Sequence, residues 1–238
     1  MKIDLISDIH LEFKNFKLIT KGEILIIAGD VGPVAKINAK YKSFFKNASN
    51  NYKHVIFVSG NHEYHGSKIN IAEKLIEECF KEFKNVYFLQ CNKITINKYE
   101  FYGCTLWSNL LTNSWLTNDG ASIENLSIKK FKDMHQKHKK WLDEQLSLPR
   151  NKNIKRIVIT HYLPSLKCIH NKYKVYGKEA NSFYASDCEE IVRKSDLWLF
   201  GHTHISMNIK LDNIRMICNP RGYPWETSKN YIPEIIDI

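Results

Sequence analysis

The chain has 238 residues, 43% of them hydrophobic, and a formal net charge of +10 at pH 7. That length carries one large domain or two small ones with a sizeable core. No stretch approaches the roughly 18 consecutive apolar residues of a membrane-spanning helix, and six cysteines without one C-x-x-C pair argue for reduced, mostly buried thiols rather than a disulfide framework or a structural zinc knot.

Met1-Lys2 passes without signal-peptide character into a strand-like run, residues 2–7. A cytoplasmic protein with no membrane partner is therefore expected. The first part of the chain alternates strand and helix. Residues 23–28 read as a strand, and Tyr41, Phe44, Phe45 and Ala48 then mark one face of a helix. Residues 54–59 are strand-like. The spacing of Ile71, Leu75, Ile76, Cys79, Phe80 and Phe83 predicts a helix over 69–83. A strand over 86–89 and a hairpin turning at Asn97-Lys98 follow.

From Trp107 to Ser127 no period holds, and we expect a partly ordered lid or rim loop. A helix over 127–146 follows, buried along Phe131, Met134, His138, Trp141, Leu142 and Leu146 and ended by Pro149. The second part is richer in strands: 156–160 and 197–200, a helix over 186–194 between them, a hairpin around Asp212-Asn213, and a last strand over 235–238. No repeat or linker divides the chain, so we read one domain over 1–238, an α/β fold of two mixed sheets packed face to face with helices outside.

Five of the strand-like runs end in metal-ligand-type residues. These are Asp8 and His10, Asp30, Asn61, His161, and His202 with His204. Strands of one sheet lie about 4.7–4.9 Å apart, so residues just past their carboxyl ends converge on one rim. Carboxylate, imidazole and amide oxygen suit divalent ions such as Mn, Fe, Zn or Mg. Seven side chains are too many for one ion and fit two if a carboxylate bridges them. Asp30 is the remaining acid at a clear strand end, and its two oxygens can be shared.

Asp8-Ile9-His10, Gly29-Asp30, Gly60-Asn61-His62-Glu63, His161 and Gly201-His202-Thr203-His204, in that order, resemble the calcineurin-like metallophosphoesterases. Residues 103–107, 138–142, 183–187 and 219–223 are similar to a small bacterial and phage-type branch of that family. The resemblance implies a four-layer α/β/β/α sandwich and two divalent ions, manganese first, with iron, zinc, nickel or magnesium as alternatives. It implies that Asp8, His10 and His204 hold one ion, that Asn61, His161 and His202 hold the other, and that Asp30 bridges them. It also implies attack on phosphorus by a water between the metals, with His62 protonating or stabilising the leaving oxygen. Relatives that have lost ligands serve as binding scaffolds; every ligand position is intact here, so an enzyme is expected.

Glu63 is expected to position other groups rather than act as a base. His65, one turn past His62, is a candidate for the cleft wall. Arg221 either contacts phosphate or braces the loop beneath the metals. Trp107 and Tyr64 either stack a base or aryl group or belong to the core. His54, His135, His138 and His170 read as ordinary core or surface residues.

Protein phosphatases of this superfamily carry Gly-Asp-x-x-Asp-Arg-Gly. Here Val31-Gly32-Pro33 follows Asp30 and the Asp-Arg pair is missing. A small phosphodiester or nucleotide is therefore the expected substrate, with a monoester or a nucleic acid as alternatives. The positive charge favours anionic partners, but the lysines are dispersed and mark no basic groove.

Overall fold

The computed structural model describes residues 1–226 and 231–238. In the first sheet β1 (Lys2–Ile6), β2 (Ile24–Ala28), β3 (His54–Val58) and β4 (Val86–Phe88) run parallel as neighbours, and β11 (Glu234–Asp237) closes the edge antiparallel to β1. In the second, β5 (Asn92–Ile96) and β6 (Tyr99–Cys104) form an antiparallel hairpin. From β6 the sheet continues in parallel through β7 (Lys155–Thr160), β8 (Leu197–Phe200) and β10 (Ile214–Cys218), and β9 (Met207–Leu211) returns antiparallel to β10.

Side chains alternate across a strand, so each sheet has two apolar faces. Ile3, Leu5, Ile24, Ile26, Ile56 and Val58 meet Phe101, Ile157, Ile159, Leu197, Leu199 and Ile217 in one cluster between the sheets. The intervening residues face helices. Phe57 meets Phe45 of the helix Asn38–Asn51, ring centroids 5.2 Å apart, and Tyr102 meets Trp141 of the helix Ile128–Ser147 at 6.4 Å. Two mixed sheets with flanking helices make the expected four layers. Truncating a ring such as the fully buried Phe45 to alanine costs about 3–5 kcal/mol.

Element ends follow local chemistry. The Ser127 hydroxyl accepts from Lys130 N and starts the long helix; Leu148, extended before Pro149, stops it. The helix from Ile69 ends at Phe80, short of Phe83, and the one expected over 186–194 is a single turn, Glu189–Val192. The aperiodic stretch 107–127 is an ordered wall. Trp107, Leu110, Ile123 and Leu126 are buried in it, and Asp119–Ser122 forms a helical turn. Side chains rather than a repeating ladder hold it: Ser186 Oγ accepts from Asn109 N and Ser182 Oγ from Leu111 N. Among the described residues no helix is long and apolar enough to cross a membrane.

The parallel strands all deliver their carboxyl ends to one rim. There the two sheets are tied together, by Ser7 N to Asn219 O at 3.0 Å and by Gly222 N to Asp8 O at 3.0 Å.

Candidate metal centre

The rim backbone is unusual before any side chain is considered. Asp8, His10, Asp30, His202 and His204 have φ of 52°, 45°, 57°, 69° and 51°. Left-handed backbone is uncommon outside glycine, though Asp and His tolerate it better than most. Five such residues on one rim mark stored strain of the kind found at functional sites. Close approach explains two glycines beside them: a Cβ on Gly60 would lie 2.1 Å from Asp30 Oδ1, and one on Gly29 would lie 2.4 Å from His161 Nδ1.

All seven sequence-derived candidates come together. His10 Nε2 lies 3.1 Å from His204 Nε2, which is 3.4 Å from Asp8 Oδ1. On the other side His161 Nε2 lies 3.1 Å from Asn61 Oδ1 and 3.2 Å from His202 Nδ1. Asp30 lies between, its Oδ2 3.3 Å from His161 Nε2 and 3.9 Å from His10 Nε2. Three overlapping groups could hold a metal ion: Asp8, His10 and His204; Asp30, His161 and His202; and His10, Asp30 and His62. Burial works to raise the Asp8 and Asp30 carboxyls, but neighbouring imidazoles outweigh it and hold both below the usual range.

The imidazoles are aimed by what binds their far nitrogens. His161 Nδ1 lies 2.8 Å from Ala28 O, His10 Nδ1 3.1 Å from Glu12 Oε1, and His204 Nδ1 2.7 Å from Glu226 Oε2. An acceptor at Nδ1 keeps a proton there and turns Nε2 inward, so that Nε2 is the nitrogen each ring would offer a metal once unprotonated, the arrangement that ligating histidines adopt. Asp119 does the same for the amide: its Oδ1 accepts from Asn61 Nδ2 at 2.9 Å, which leaves Asn61 Oδ1 facing the site. This donor set fits divalent ions.

Glu12, Asp119 and Glu226 were not singled out from the sequence. Asp119 lies in the aperiodic stretch and Glu226 beyond any strand end. Glu12 follows His10 by two residues, and that proximity was the available signal. Glu63 fulfils its expected positioning role. Its carboxylate accepts four backbone N–H groups, from Asp30, Val31, Gly32 and Gly60 at 2.6–3.0 Å, and so staples two ligand loops together. Burial and the Asp30 charge push its pKa up to about 7, against the pull of those N–H donors.

His62 lines the site from the Asp30 side. Its Nδ1 lies 2.8 Å from Glu12 Oε1 and its Nε2 3.2 Å from Tyr223 Oη. Burial disfavours its charged form, but Asp30 and Glu12 outweigh that and raise its pKa above the usual value. His65 does line the cleft, its ring 4.3 Å from that of His62 and its Nε2 2.9 Å from Asp119 Oδ1.

Two open readings resolve toward structure. Tyr64 and Trp107 are buried and stacked on each other at 5.6 Å, so neither is offered to a ligand. Arg221 donates to the carbonyls of Ile9, Lys14 and Asn15, which braces the loop carrying His10. His135 and His138 are buried beside the Leu106 peptide and hold its corner.

The calcineurin-like phosphoesterase profile matches residues 1–206. An uncharacterized protein of Acanthamoeba polyphaga mimivirus is 27% identical over 237 residues, covering 90% of this chain and 83% of that protein. The crystal structure of phosphopantetheinyl hydrolase (PptH) from Mycobacterium tuberculosis superposes with a TM-score of 0.72 at 15% identity, over 94% of this chain and 90% of that one. TT1561 of Thermus thermophilus gives 0.58 at 11% identity, over 93% and 89%. At these identities the two structures establish the fold alone. With the profile spanning most of the sequence and both sheets in place, the chain belongs to the calcineurin-like phosphoesterase family and is a metal-dependent phosphoester hydrolase.

Proposed function

We propose that this protein is a dinuclear phosphoesterase with a preference for phosphodiesters. Asp8, His10 and His204 would hold one divalent ion and Asn61, His161 and His202 the other, with the Asp30 carboxylate available to both. The observation that carries the reading is the position of Asp30 Oδ2, between His161 Nε2 at 3.3 Å and His10 Nε2 at 3.9 Å. Manganese is the first candidate, with iron, zinc, nickel or magnesium as alternatives. When bound, such ions supply positive charge for the phosphoryl oxygens and a water acidified for attack in line. The protein ligands bring two negative charges, from Asp8 and Asp30, against about +4. The surplus favours an anionic ester.

The remaining chemistry belongs to the chain. His62, protonated at both nitrogens, keeps its Nδ1–H on Glu12 and presents Nε2–H to the leaving oxygen. Asp30 Oδ1 accepts from His62 N at 2.9 Å, so the bridging residue also fixes the backbone of the acid.

Two observations support the diester. The Asp-Arg pair that serves a monoester is missing after Asp30, and the Arg221 guanidinium is committed to three carbonyls. A monoester dianion would find no arginine for its second charge in either place. A nuclease is disfavoured because Glu12 and Glu226 border the site, where a polyanion would meet them.

Elemental analysis joined to kinetics tests this. Two ions per chain are expected, with hydrolysis abolished by a chelator and a higher kcat/KM for bis(4-nitrophenyl) phosphate than for 4-nitrophenyl phosphate. One tightly held ion with full activity would overturn the dinuclear reading. A monoester preference of tenfold or more, about 1.4 kcal/mol in transition-state binding, would overturn the diester choice alone.

A further inference from the structure

Beside the His10 and His204 side of the site stand three aromatic rings, and the hydrolytic chemistry has no use for the outer two, Phe13 and Trp225. Tyr223 packs against both imidazoles, centroids 4.5 Å from His10 and 4.6 Å from His204. Trp225 stacks on Tyr223 at 4.8 Å with only 23° between planes. Phe13 stands edge-on to both, 5.4 Å from Tyr223 and 5.5 Å from Trp225. The inner ring is tied to the site, with Tyr223 Oη 3.2 Å from His62 Nε2. The outer two are open, Trp225 70% and Phe13 51% exposed.

Large aromatic side chains normally bury most of their area. Here two remain in solvent, ordered by each other and by a ring that touches candidate metal ligands. Burial in a core does not account for the place of either ring, since each keeps more than half its surface exposed. A hydrocarbon tail would call for an enclosed apolar groove. A projecting stack of rings suits another planar ring, because base–aromatic stacking needs only a π-face. The bordering acids Glu12 and Glu226 oppose a long polyanion, while the chain's net charge of +10 still draws a small anion.

We propose that Phe13, Tyr223 and Trp225 form a nucleobase-binding wall, and that the substrate is a small nucleoside phosphodiester whose base stacks there while its phosphate sits at the metal centre. This rests on the phosphodiesterase reading above and names its substrate class. Trp225 and Phe13 are specificity-determining residues with no part in the chemical step.

Two diesters with one leaving group make the test: thymidine 5′-(4-nitrophenyl phosphate) and methyl 4-nitrophenyl phosphate. The nucleoside ester should be preferred. Trp225→Ala and Phe13→Leu should each raise its KM by roughly 5- to 100-fold, with little change in kcat, in metal content or in the kinetics of the methyl ester. Trp225→Phe should recover most of the loss. Equal losses on both esters, or none on either, would overturn the wall. Saturable quenching of tryptophan fluorescence by adenosine 5′-monophosphate, much reduced in Trp225→Phe, is the readout independent of hydrolysis. Quenching in a protein that hydrolyses no ester would sink the hydrolase reading and keep the wall. Hydrolysis without ester discrimination or quenching would do the reverse.

Discussion

Glu12 Oε1 lies 2.8 Å from His62 Nδ1, and the same oxygen is 3.1 Å from His10 Nδ1. One carboxylate oxygen thus orients a candidate metal ligand and the candidate general acid together. Burial works to raise the Glu12 carboxyl, but the two imidazole hydrogen bonds win and lower it to about 2, so it is charged throughout the physiological range. Glu12→Gln keeps an oxygen but removes the charge. Metal affinity should fall about 10–100-fold, the usual consequence of losing such a partner. Because His62 loses the same anion, the apparent pKa of the acid should fall as well. A pH–rate profile at saturating metal separates the two effects. An unchanged alkaline limb would show that Glu12 serves His10 alone.

Asp30 is the residue shared between the ligand groups, so Asp30→Asn should weaken both ions rather than one. Elemental analysis after dialysis should show both lost. Added manganese should raise Tm in the parent protein, because a ligand that binds only the native state stabilises it by mass action, and should fail to do so in the variant. Retention of one full equivalent would place Asp30 on a single ion.

Metal uptake should release protons. In the metal-free protein burial works against the charged imidazoles, but for His161 the Asp30 carboxylate, and for His204 the hydrogen bonds to Asp8 and Glu226, raise their pKa to about 9 and about 10. Both are therefore protonated at pH 7, and each must lose a proton to offer a lone pair. His202, lowered to about 3 chiefly by burial, is already neutral. The direction follows: apparent affinity should rise with pH through neutrality and level off near 9–10, with about two protons released per chain at pH 7. Calorimetry in buffers of different ionisation enthalpy measures this. Affinity independent of pH would contradict it.

The ligands were legible in the sequence because parallel strands place their carboxyl ends on one rim, so strand-end position alone gathered Asp8, Asp30, Asn61, His161 and His202. The groups that orient them were not. Glu226 and Asp119 reach the site from segments without periodicity, and no pattern along the chain encodes a contact between positions 204 and 226 or 61 and 119. Tyr64 and Trp107 stayed open between ligand stacking and core packing for the opposite reason. Tyr64 lies two residues past His62 and Trp107 just past a strand end, yet their rings turn inward and stack on each other, with Trp107 packed against Phe131 and Tyr162.

Glu63 gives a prediction about stability. Above pH 7, where the Glu63 carboxylate is charged despite its raised pKa, Glu63→Gln sets an amide NH2 against a cluster of backbone N–H groups and removes the charge from four hydrogen bonds. Hydrogen bonds to charged groups are worth about 1.5–3 kcal/mol each, and the loops can relax in part. A loss of about 2–4 kcal/mol is expected, which for a chain of this size lowers Tm by roughly 5–15 °C. Thermal unfolding in the presence of chelator isolates the effect from metal binding. No change in Tm would mean that the loops carrying Asp30 and Asn61 hold their shape without the staple.

His62→Ala should separate binding from chemistry. The side chain is not among the six residues assigned to either ion beside the bridging Asp30, so metal content should persist. The rate should fall by about 10²–10⁴, the usual contribution of a positioned acid. The loss should depend on the leaving group: small for 4-nitrophenolate, which departs without a proton, and large for an alkoxide, which does not. His62 sits above its ordinary pKa because Asp30 and Glu12 favour its charged form, so the parent enzyme should lose activity on alkyl esters as pH rises past that pKa, while aryl esters lose less. The variant should lack this limb. A uniform loss across leaving groups, with the limb retained, would assign the acid to another group, and Tyr223, whose Oη lies 3.2 Å from His62 Nε2, would be the residue to replace next.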